Sequence, residues 1–444
     1  MKEKKVTVIG GGLAGSEAAW QLARRGIRVD LYEMRPVRKT GAHHTDRLAE
    51  LVCSNSLGSF DEKNASALLK EEMKILGSLV VESAWRAKVP AGGALAVDRE
   101  MFAQLITDAI ADNPLITLHR EEIQKIPEDG ITIVATGPLT SEALAESIQQ
   151  ITGQSQLHFF DAAAPILTRE SINMDLAFEK SRYDKGDGAY INCPMNKAEY
   201  EAFWNALCAA EKVQLKDFEK DTPFFESCLP VEEIASRGFN TLRFGPMKPV
   251  GLEDPRTGKR GFAVVQLRQD NAAANLYNIV GFQTNLKWPE QKRVFSMIPG
   301  LENAEFVRLG VMHRNTYLNS PVVLSQTLNL HARQNVFFAG QLTGVEGYSE
   351  STATGIFAAI NASRLLNGEE LLTLPNTCML GALIRYITSA NPKNFQPINS
   401  NWGIVDIPAD LASMDKASKR LEMRKRALAV IASLDVGLCT PIGT

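Results

Sequence analysis

Two groups of residues in this chain are equipped for chemistry: a glycine run near its start and a few scattered cysteines. Gly10-Gly11-Gly12-Leu13-Ala14-Gly15 follows the apolar stretch Val6–Ile9 and leads into a helical pattern. Gly10 permits the tight turn from strand to helix, Gly12 lets the backbone approach a pyrophosphate, and Gly15 lets the helix pack closely on the strand. The pyrophosphate then rests on the helix N-terminus, where unpaired N–H groups and the helix dipole favour an anion. Glu33 closes the next strand, Arg28–Tyr32, where its carboxylate can take both hydroxyls of a ribose and would repel a 2′-phosphate. Gly26 stands between helix and strand as a helix stop. The combination points to an adenine dinucleotide, FAD or NAD rather than NADP.

The six cysteines are Cys53, Cys193, Cys208, Cys228, Cys378 and Cys439. They form no C-x-x-C pair and no Cys/His cluster, which argues against a structural zinc site or a disulfide framework and leaves single thiols. Cys53 sits among the small polar residues Ser54, Asn55 and Ser56, surroundings that suit an accessible thiol. Cys228 lies between Ser227 and Leu229-Pro230, with Glu226 nearby. At both positions a reactive thiolate competes with the commoner fate of a buried, inert cysteine. The other four are read as structural, and no metal is expected.

Alternating helix and strand signals must position these groups. A polar, irregular stretch covers 34–64, a helical pattern runs from Ala65 to about Leu79, and a helix is predicted over Asp98–Ala111. Ile131–Ala135 reads as a buried strand closing on Gly137-Pro138. A second such element, Asn335–Ala339, closes on Gly340-Gln341. Gly344, Gly347 and a polar-to-apolar helix containing Gly355 follow, and the start of that helix would present N–H groups to a cofactor. Two nucleotide-type elements some two hundred residues apart imply one domain interrupted by an insertion. The expected division is 1–165 and 310–370 for the nucleotide-binding domain, 166–309 for the inserted substrate domain, and 371–444 for a C-terminal helical segment.

With 444 residues the chain exceeds one ordinary core, and its net charge of −3 excludes a molecule that binds nucleic acid by bulk basicity. Any polyanion must meet a local patch. Arg243, Lys248, Arg256, Lys259, Arg260 and Arg268 are the expected lining of such a cleft; the adjacent Phe224 and Phe225 offer aromatic faces, though such a pair is more often core. Near the end, Met414, Ala417, Leu421, Leu428 and Ile431 recur at helical spacing among Lys416, Lys419, Arg420, Arg424, Lys425 and Arg426. The favoured reading is an amphipathic helix packed on the body, ahead of a nucleic-acid contact. No apolar run approaches the ~18 residues of a membrane span, so a soluble, cytoplasmic protein without membrane contact is expected.

Across nearly its whole length the sequence resembles the folate- and FAD-dependent tRNA uracil-5 methyltransferases. The motifs are Gly10–Gly15 continuing through Trp20, Tyr32-Glu33-Met34-Arg35-Pro36, Val52-Cys53-Ser54-Asn55-Ser56-Leu57-Gly58, Phe225–Pro230, His313-Arg314-Asn315-Thr316-Tyr317 and Gly340–Tyr348. Larger flavoproteins acting on tRNA wobble uridines share the glycine motifs but carry a further C-terminal domain. The resemblance implies an α/β fold: a glutathione-reductase-like FAD-binding Rossmann domain interrupted by a smaller α+β insertion. It implies FAD as cofactor, methylenetetrahydrofolate as carbon donor, NADH or NADPH as reductant and tRNA as partner. Cofactor contacts are expected at Gly10, Gly11, Gly12, Leu13, Ala14, Gly15, Glu33, Gly137, Gly340, Gln341 and Gly355.

Carbon 5 of uracil is a weak nucleophile until a thiolate adds to carbon 6 and places electron density on carbon 5. The resemblance implies that Cys53 and Cys228 are both catalytic. Cys228 would be the carbon 6 nucleophile and Cys53 the proton acceptor or second thiolate, though their division of labour stays open. His313 and Arg314 would contact folate or RNA, a guanidinium being suited to a carboxylate or phosphate, while a structural ion pair is the alternative for Arg314. Competing readings of the whole chain are a flavoprotein that installs a larger group on a wobble uridine, and a non-catalytic FAD-bound redox or RNA-binding protein.

Overall fold

The computed structural model describes residues 4–155, 157–184, 190–213, 229–310 and 312–434, with backbone alone at 159–162 and 312–314. Strand β1 (Lys5–Ile9) buries Val6 and Val8 completely. It is the centre of a five-stranded parallel sheet ordered β16 (Val336–Phe338), β7 (Ile131–Val134), β1, β2 (Arg28–Tyr32), β6 (Ile116–His119). Such strands are covered on both faces and read as apolar runs, as in Ile131-Thr132-Ile133-Val134, where all four residues are buried. The strand order reverses direction between β1 and β7, so their carboxyl ends open a crevice at the switch point.

Helix α1 (Leu13–Ala23) packs on this edge because two glycines remove Cβ atoms. A Cβ on Gly15 would lie 1.7 Å from the Gly10 carbonyl oxygen, and one on Gly10, whose φ is +103°, would lie 2.5 Å from the Ala135 oxygen. The helical pattern expected from Ala65 to about Leu79 is two helices, α2 (Ala65–Ile75) and α3 (Leu79–Arg86). Gly77 takes φ +72° and Ser78 caps Val81 N–H, while the buried carboxylate of Glu17 accepts from Ser78 Oγ, Leu79 N and Val80 N. Leu76 and Leu79 both face the core, which makes the periodicity continuous across a real break. The expected helix over 98–111 is α4 (Arg99–Ala111), with Asp98 as its N-cap.

The stretch 34–64, expected to be irregular, contains one strand. β3 (Ser56–Ser59) joins β5 (Ala94–Val97) and β4 (Lys88–Val89) in a small antiparallel sheet. Ser-Leu-Gly-Ser has no apolar alternation, so only its partner strand defines it.

Strands β8 (Leu157–Ala162) and β15 (Met312–Tyr317) pair antiparallel and carry the chain out of the nucleotide-binding sheet and back. Between them a six-stranded antiparallel sheet runs β10 (Phe178–Lys180), β11 (Tyr190–Met195), β12 (Ala263–Gln269), β13 (Leu276–Ile279), β9 (Ile166–Thr168), β14 (Phe306–Arg308). Helices Lys197–Ala209, Val231–Ser236 and Trp288–Phe295 belong to the same segment. Its core, with Phe203, Phe282 and Phe295 fully buried, is separate from that of the parallel sheet.

The C-terminal helix Lys416–Ala432 packs against α2, in line with the favoured reading. The buried stripe is Met423, Ala427 and Ile431, however, and Leu421 is 60% exposed. Arg424 pairs with Glu71 at 2.6 Å and Arg426 with Asp410 at 2.6 Å, so two of the six basic residues meet acidic neighbours. Among the described residues no helix is long and apolar enough to cross a membrane.

Candidate active site at the seam of the two lobes

Helix α1 begins at Leu13 with Gly12 as its N-cap and no side chain capping it. A Cβ built on Gly12 meets nothing within 4 Å. An uncapped helix start facing open space is the form an anion site takes. Beside it, Glu33 Oε2 accepts from Gly11 N at 2.9 Å, and Oε1 accepts from Arg35 N at 3.0 Å and Arg35 Nε at 2.9 Å. Burial pushes the Glu33 carboxyl up, but the Arg35 guanidinium and the two N–H donors outweigh it and hold the group below the usual carboxylate range. A carboxylate offers about four lone-pair directions. Gly11 and Arg35 occupy three of them. One direction on Oε2 is left, so a second ribose hydroxyl needs another partner.

This cradle continues into a cavity walled by Gly10, Gly12, Tyr32, Glu33, Thr136 and Leu139. Tyr32 is stacked on His119 with ring centroids 4.5 Å apart. Leu139 also lines a second cavity of about 180 Å³, bounded by Cys53, Ser54, Asn315, Gln341, Gly347 and Tyr348. Two adjoining cavities, one at the glycine turn and one at a thiol, suit an extended dinucleotide lying across the crevice.

The second cavity is floored by the start of the helix Tyr348–Asn367, whose N-cap Gly347 has φ +115° and no side-chain cap. Glu346 also lines it and accepts a hydrogen bond from the Gln341 amide. Gly137, at φ +67°, has open space around its missing Cβ. Gly340 has φ +79°, and a Cβ there would lie 3.1 Å from Ala14 Cβ. Gly355, also among the expected cofactor contacts, lies where its helix crosses α1: a Cβ there would be 2.3 Å from the Ala14 carbonyl oxygen.

Cys53 is held from both sides of its backbone. Tyr348 Oη accepts from Cys53 N at 2.9 Å and from Ser54 N at 3.2 Å. Three consecutive carbonyls accept from guanidiniums: Leu51 O from Arg99 Nη1 at 2.6 Å, Val52 O from Arg308 Nη2 at 2.7 Å, and Cys53 O from Arg99 Nη2 at 3.2 Å. Arg99 is also paired with Asp270 at 3.1 Å, with side-chain exposures of 14% and 5%. Burial works to lower the Arg99 pKa, but Asp270, Tyr348 and Cys53 reverse that and raise it. Burial, and then the Arg99 charge, lowers that of Arg308. Burial, and then Cys53, raises the Tyr348 phenol. No local pattern marks Arg99, Arg308 and Asp270 as partners of Cys53, or the role of the Tyr348 phenol: Arg99, Arg308 and Tyr348 reach its loop over long stretches of chain, and Asp270 acts through Arg99. One signal was available for Arg99: a cation in the first turn of a helix opposes the helix dipole and calls for a separate reason.

The inserted lobe docks on the same loop. Arg268 Nε donates to Asn55 Oδ1 at 3.1 Å and Nη2 to Ser54 Oγ at 2.8 Å. Asn55 Nδ2 donates in turn to Gln269 O at 2.9 Å and Val97 O at 3.0 Å. Arg268 is therefore a strut between lobes and not the phosphate contact expected, because its donors are spent inside the protein. Arg256 is likewise engaged inside the protein, but within the inserted lobe: it pairs with Asp254 and donates to the carbonyls of Met174 and Leu176. Arg243 stacks on Phe262 with its guanidinium carbon 3.6 Å from the ring centroid, and Arg260 pairs with Glu253 at 3.0 Å.

Cys228, Phe224 and Phe225 lie outside the described residues, as do the side chains of His313 and Arg314. The backbones of His313 and Arg314 pair with Asp161 and Phe160, and their neighbour Asn315 lines the Cys53 cavity. Of the remaining cysteines, Cys193 and Cys378 are buried, and burial pushes the Cys193 thiol up to about 12. Among the described residues no group of three His, Cys, Asp or Glu side chains is placed to hold a metal ion.

The profile of the family described as Glucose inhibited division protein A matches residues 5–370. The chain is 59% identical over 428 residues to Methylenetetrahydrofolate--tRNA-(uracil-5-)-methyltransferase TrmFO of Halalkalibacterium halodurans, covering 96% of this chain and 98% of that one. The protein of the same name from Brevibacillus brevis is 58% identical over 432 residues, covering 97% and 98%. Among solved structures, GidA of Aquifex aeolicus in its form II crystal aligns with 99% of this chain and 74% of its own, with a TM-score of 0.71 at 16% identity, a likeness of fold.

Proposed function

Since the chain belongs to the family of methylenetetrahydrofolate--tRNA-(uracil-5-)-methyltransferases, we infer that it forms 5-methyluridine in the T-loop of tRNA. Methylenetetrahydrofolate is the carbon donor, FAD the cofactor and NADH or NADPH the reductant. The observation that carries the site is the placement of Cys53 on the wall of a cavity that adjoins the glycine cradle.

The residues present fit FAD: the open face of Gly12, the uncapped start of α1, and the anchored Glu33 carboxylate would hold its adenosine and pyrophosphate half. Gln341 and the backbone at Gly347 would border its ring system. The chemistry that FAD supplies when bound is hydride delivery, replenished from the nicotinamide nucleotide.

The chain's own part is nucleophilic and acid–base work. One thiolate adds to carbon 6 of the extruded uracil, which makes carbon 5 able to attack the folate methylene carbon. A base then removes the carbon 5 proton as the bond between the methylene carbon and the folate nitrogen breaks, which releases tetrahydrofolate and leaves an exocyclic methylene; once that carbon has taken a hydride, the thiolate leaves as the ring double bond re-forms. Cys228 is assigned the attack and Cys53 the role of second thiolate or proton acceptor, with His313 and Arg314 toward folate or RNA. Division into a nucleotide-binding domain at 1–165 and 310–370, an insertion at 166–309 and a C-terminal segment at 371–444 is supported by the separate cores of sheet and insertion. A cytoplasmic location is the reading that a tRNA substrate supports.

The test is incubation with tRNA, labelled methylenetetrahydrofolate and a reduced nicotinamide nucleotide, followed by location of the label. One methyl on a T-loop uracil is expected. A heavier substituent, or label at the wobble position, would instead support the larger-group reading. RNA bearing 5-fluorouridine separates the roles of the two cysteines, because fluorine cannot leave as a proton does: covalent trapping must depend on the thiol that attacks carbon 6.

A further inference from the structure

The loop that carries Cys53 is unusual in what surrounds it. Arg99 from α4 and Arg308 from β14 donate to three successive carbonyls of residues 51–53, and Arg268 from β12 reaches the next two side chains, Ser54 and Asn55. Facing this group are the carboxylate of Asp270 at the end of β12, the Tyr348 phenol, and Glu346 across the cavity. Asp270 is committed to Arg99, and it also accepts from Asn278 Nδ2 at 3.1 Å. Glu346 is engaged by Gln341. Among the described residues, three guanidiniums thus stand against two carboxylates in a site largely withdrawn from water, with Cys53 as the next group able to become an anion. Both Arg99 and Arg308 donate to the peptide carbonyls on either side of its side chain, which holds their charges beside the sulfur-bearing residue. Cations beside a thiol favour the thiolate, and low local polarity strengthens the effect.

We propose that Arg99 and Arg308 are positioning residues that keep the Cys53 sulfur as a thiolate, and that Asp270 sets how much of their charge reaches it. The proposal deepens the assignment of Cys53 above and rests on it. It supplies what the sequence leaves open: Cys53 is poised as an anion before any substrate arrives, the state required of a proton acceptor or second nucleophile. Asp270 and Arg268 belong to the inserted lobe and Arg99 to the nucleotide-binding lobe, so docking of the lobes sets the ionisation of the thiol.

The test is the pH profile of Cys53 alkylation by iodoacetamide in the full-length holoprotein, read on the Cys53 peptide by mass spectrometry. The wild-type midpoint is expected at least about one pH unit below the ~8.5 of an ordinary thiol. Arg308→Gln keeps a donor for the Val52 carbonyl but removes the charge, and should raise the midpoint by about one unit. Arg308→Lys keeps the charge and should stay close to wild type. Asp270→Asn removes the opposing carboxylate and should lower the midpoint. A purely structural role predicts no such opposition in sign. An ordinary wild-type midpoint, or Arg308→Gln and Asp270→Asn shifting it in the same direction, would overturn the proposal. Alkylation needs neither tRNA nor folate, so failure of the methylation assay leaves this readout intact, and the reverse also holds.

Discussion

The phenol oxygen of Tyr348 accepts the backbone N–H of Cys53 at 2.9 Å, joining residues 295 positions apart in the chain. It also accepts Ser54 N–H, so one side chain at the start of a buried helix fixes the orientation of the peptide beneath the thiol. Tyr348→Phe leaves both N–H groups without that acceptor, a loss on the order of 1–3 kcal/mol concentrated at one loop. Methyl incorporation into tRNA should fall about tenfold or more, since ~1.4 kcal/mol corresponds to one power of ten. Bound flavin, read by its absorbance, should be retained. Equal loss of flavin and activity would mean that the phenol supports the cofactor site instead of the thiol loop.

The glycines of the first turn should separate binding from folding. A side chain on Gly12 enters open space, so Gly12→Val should fold with a near-normal melting temperature yet purify without flavin. At Gly15 the Cβ would lie 1.7 Å from the Gly10 oxygen, so Gly15→Ala should lower the melting temperature itself. Circular dichroism melts beside flavin absorbance distinguish the two, and normal flavin content in Gly12→Val would rule out the cradle as the pyrophosphate site.

Glu72 gives a pH dependence with a definite sign. Its carboxylate accepts from Met379 N and Leu380 N at the start of the helix Met379–Ser389, yet burial pushes its pKa from 4.5 up to about 7. The folded protein therefore binds this proton more tightly than the unfolded chain does, and the contribution to stability falls as pH rises from about 4.5 to about 7. Glu72→Gln should remove that slope. The wild-type-minus-variant difference in unfolding free energy should decline across this window by an amount on the order of 3 kcal/mol. A flat difference would show that the carboxylate ionises normally.

Arg256 tests the correction to the expected RNA cleft. Its donors are used by Asp254 and by the carbonyls of Met174 and Leu176. Arg256→Ala should destabilise the inserted lobe by about 1 kcal/mol or less, since water can take over its exposed partners. The dependence of tRNA binding on salt should keep its slope, because no phosphate contact is lost. A slope reduced by about one would restore Arg256 to the RNA interface.

Much of the nucleotide-binding half was legible because its constraints are local. Gly10, Gly12 and Gly15 are dictated by a turn, an open face and a close helix contact within six residues, and Glu33 follows at the end of the next strand. Periodicity likewise identified α4 and the helix after Gly347. The same local logic did not show why Gly355 must be glycine, because it packs on Ala14, a residue more than three hundred positions earlier.

By itself, then, the sequence determined the glycine cradle, the α/β class, the interruption by a second lobe and the presence of Cys53 in a small polar loop. Each of these depends on neighbours along the chain. Only the tertiary structure decided that the thiol sits among Arg99, Arg308, Asp270 and Tyr348, and that Arg268 and Arg256 are consumed inside the protein. Ion pairs and hydrogen bonds between residues forty to three hundred positions apart depend on distances in space, and no periodicity records which guanidinium will reach which carbonyl.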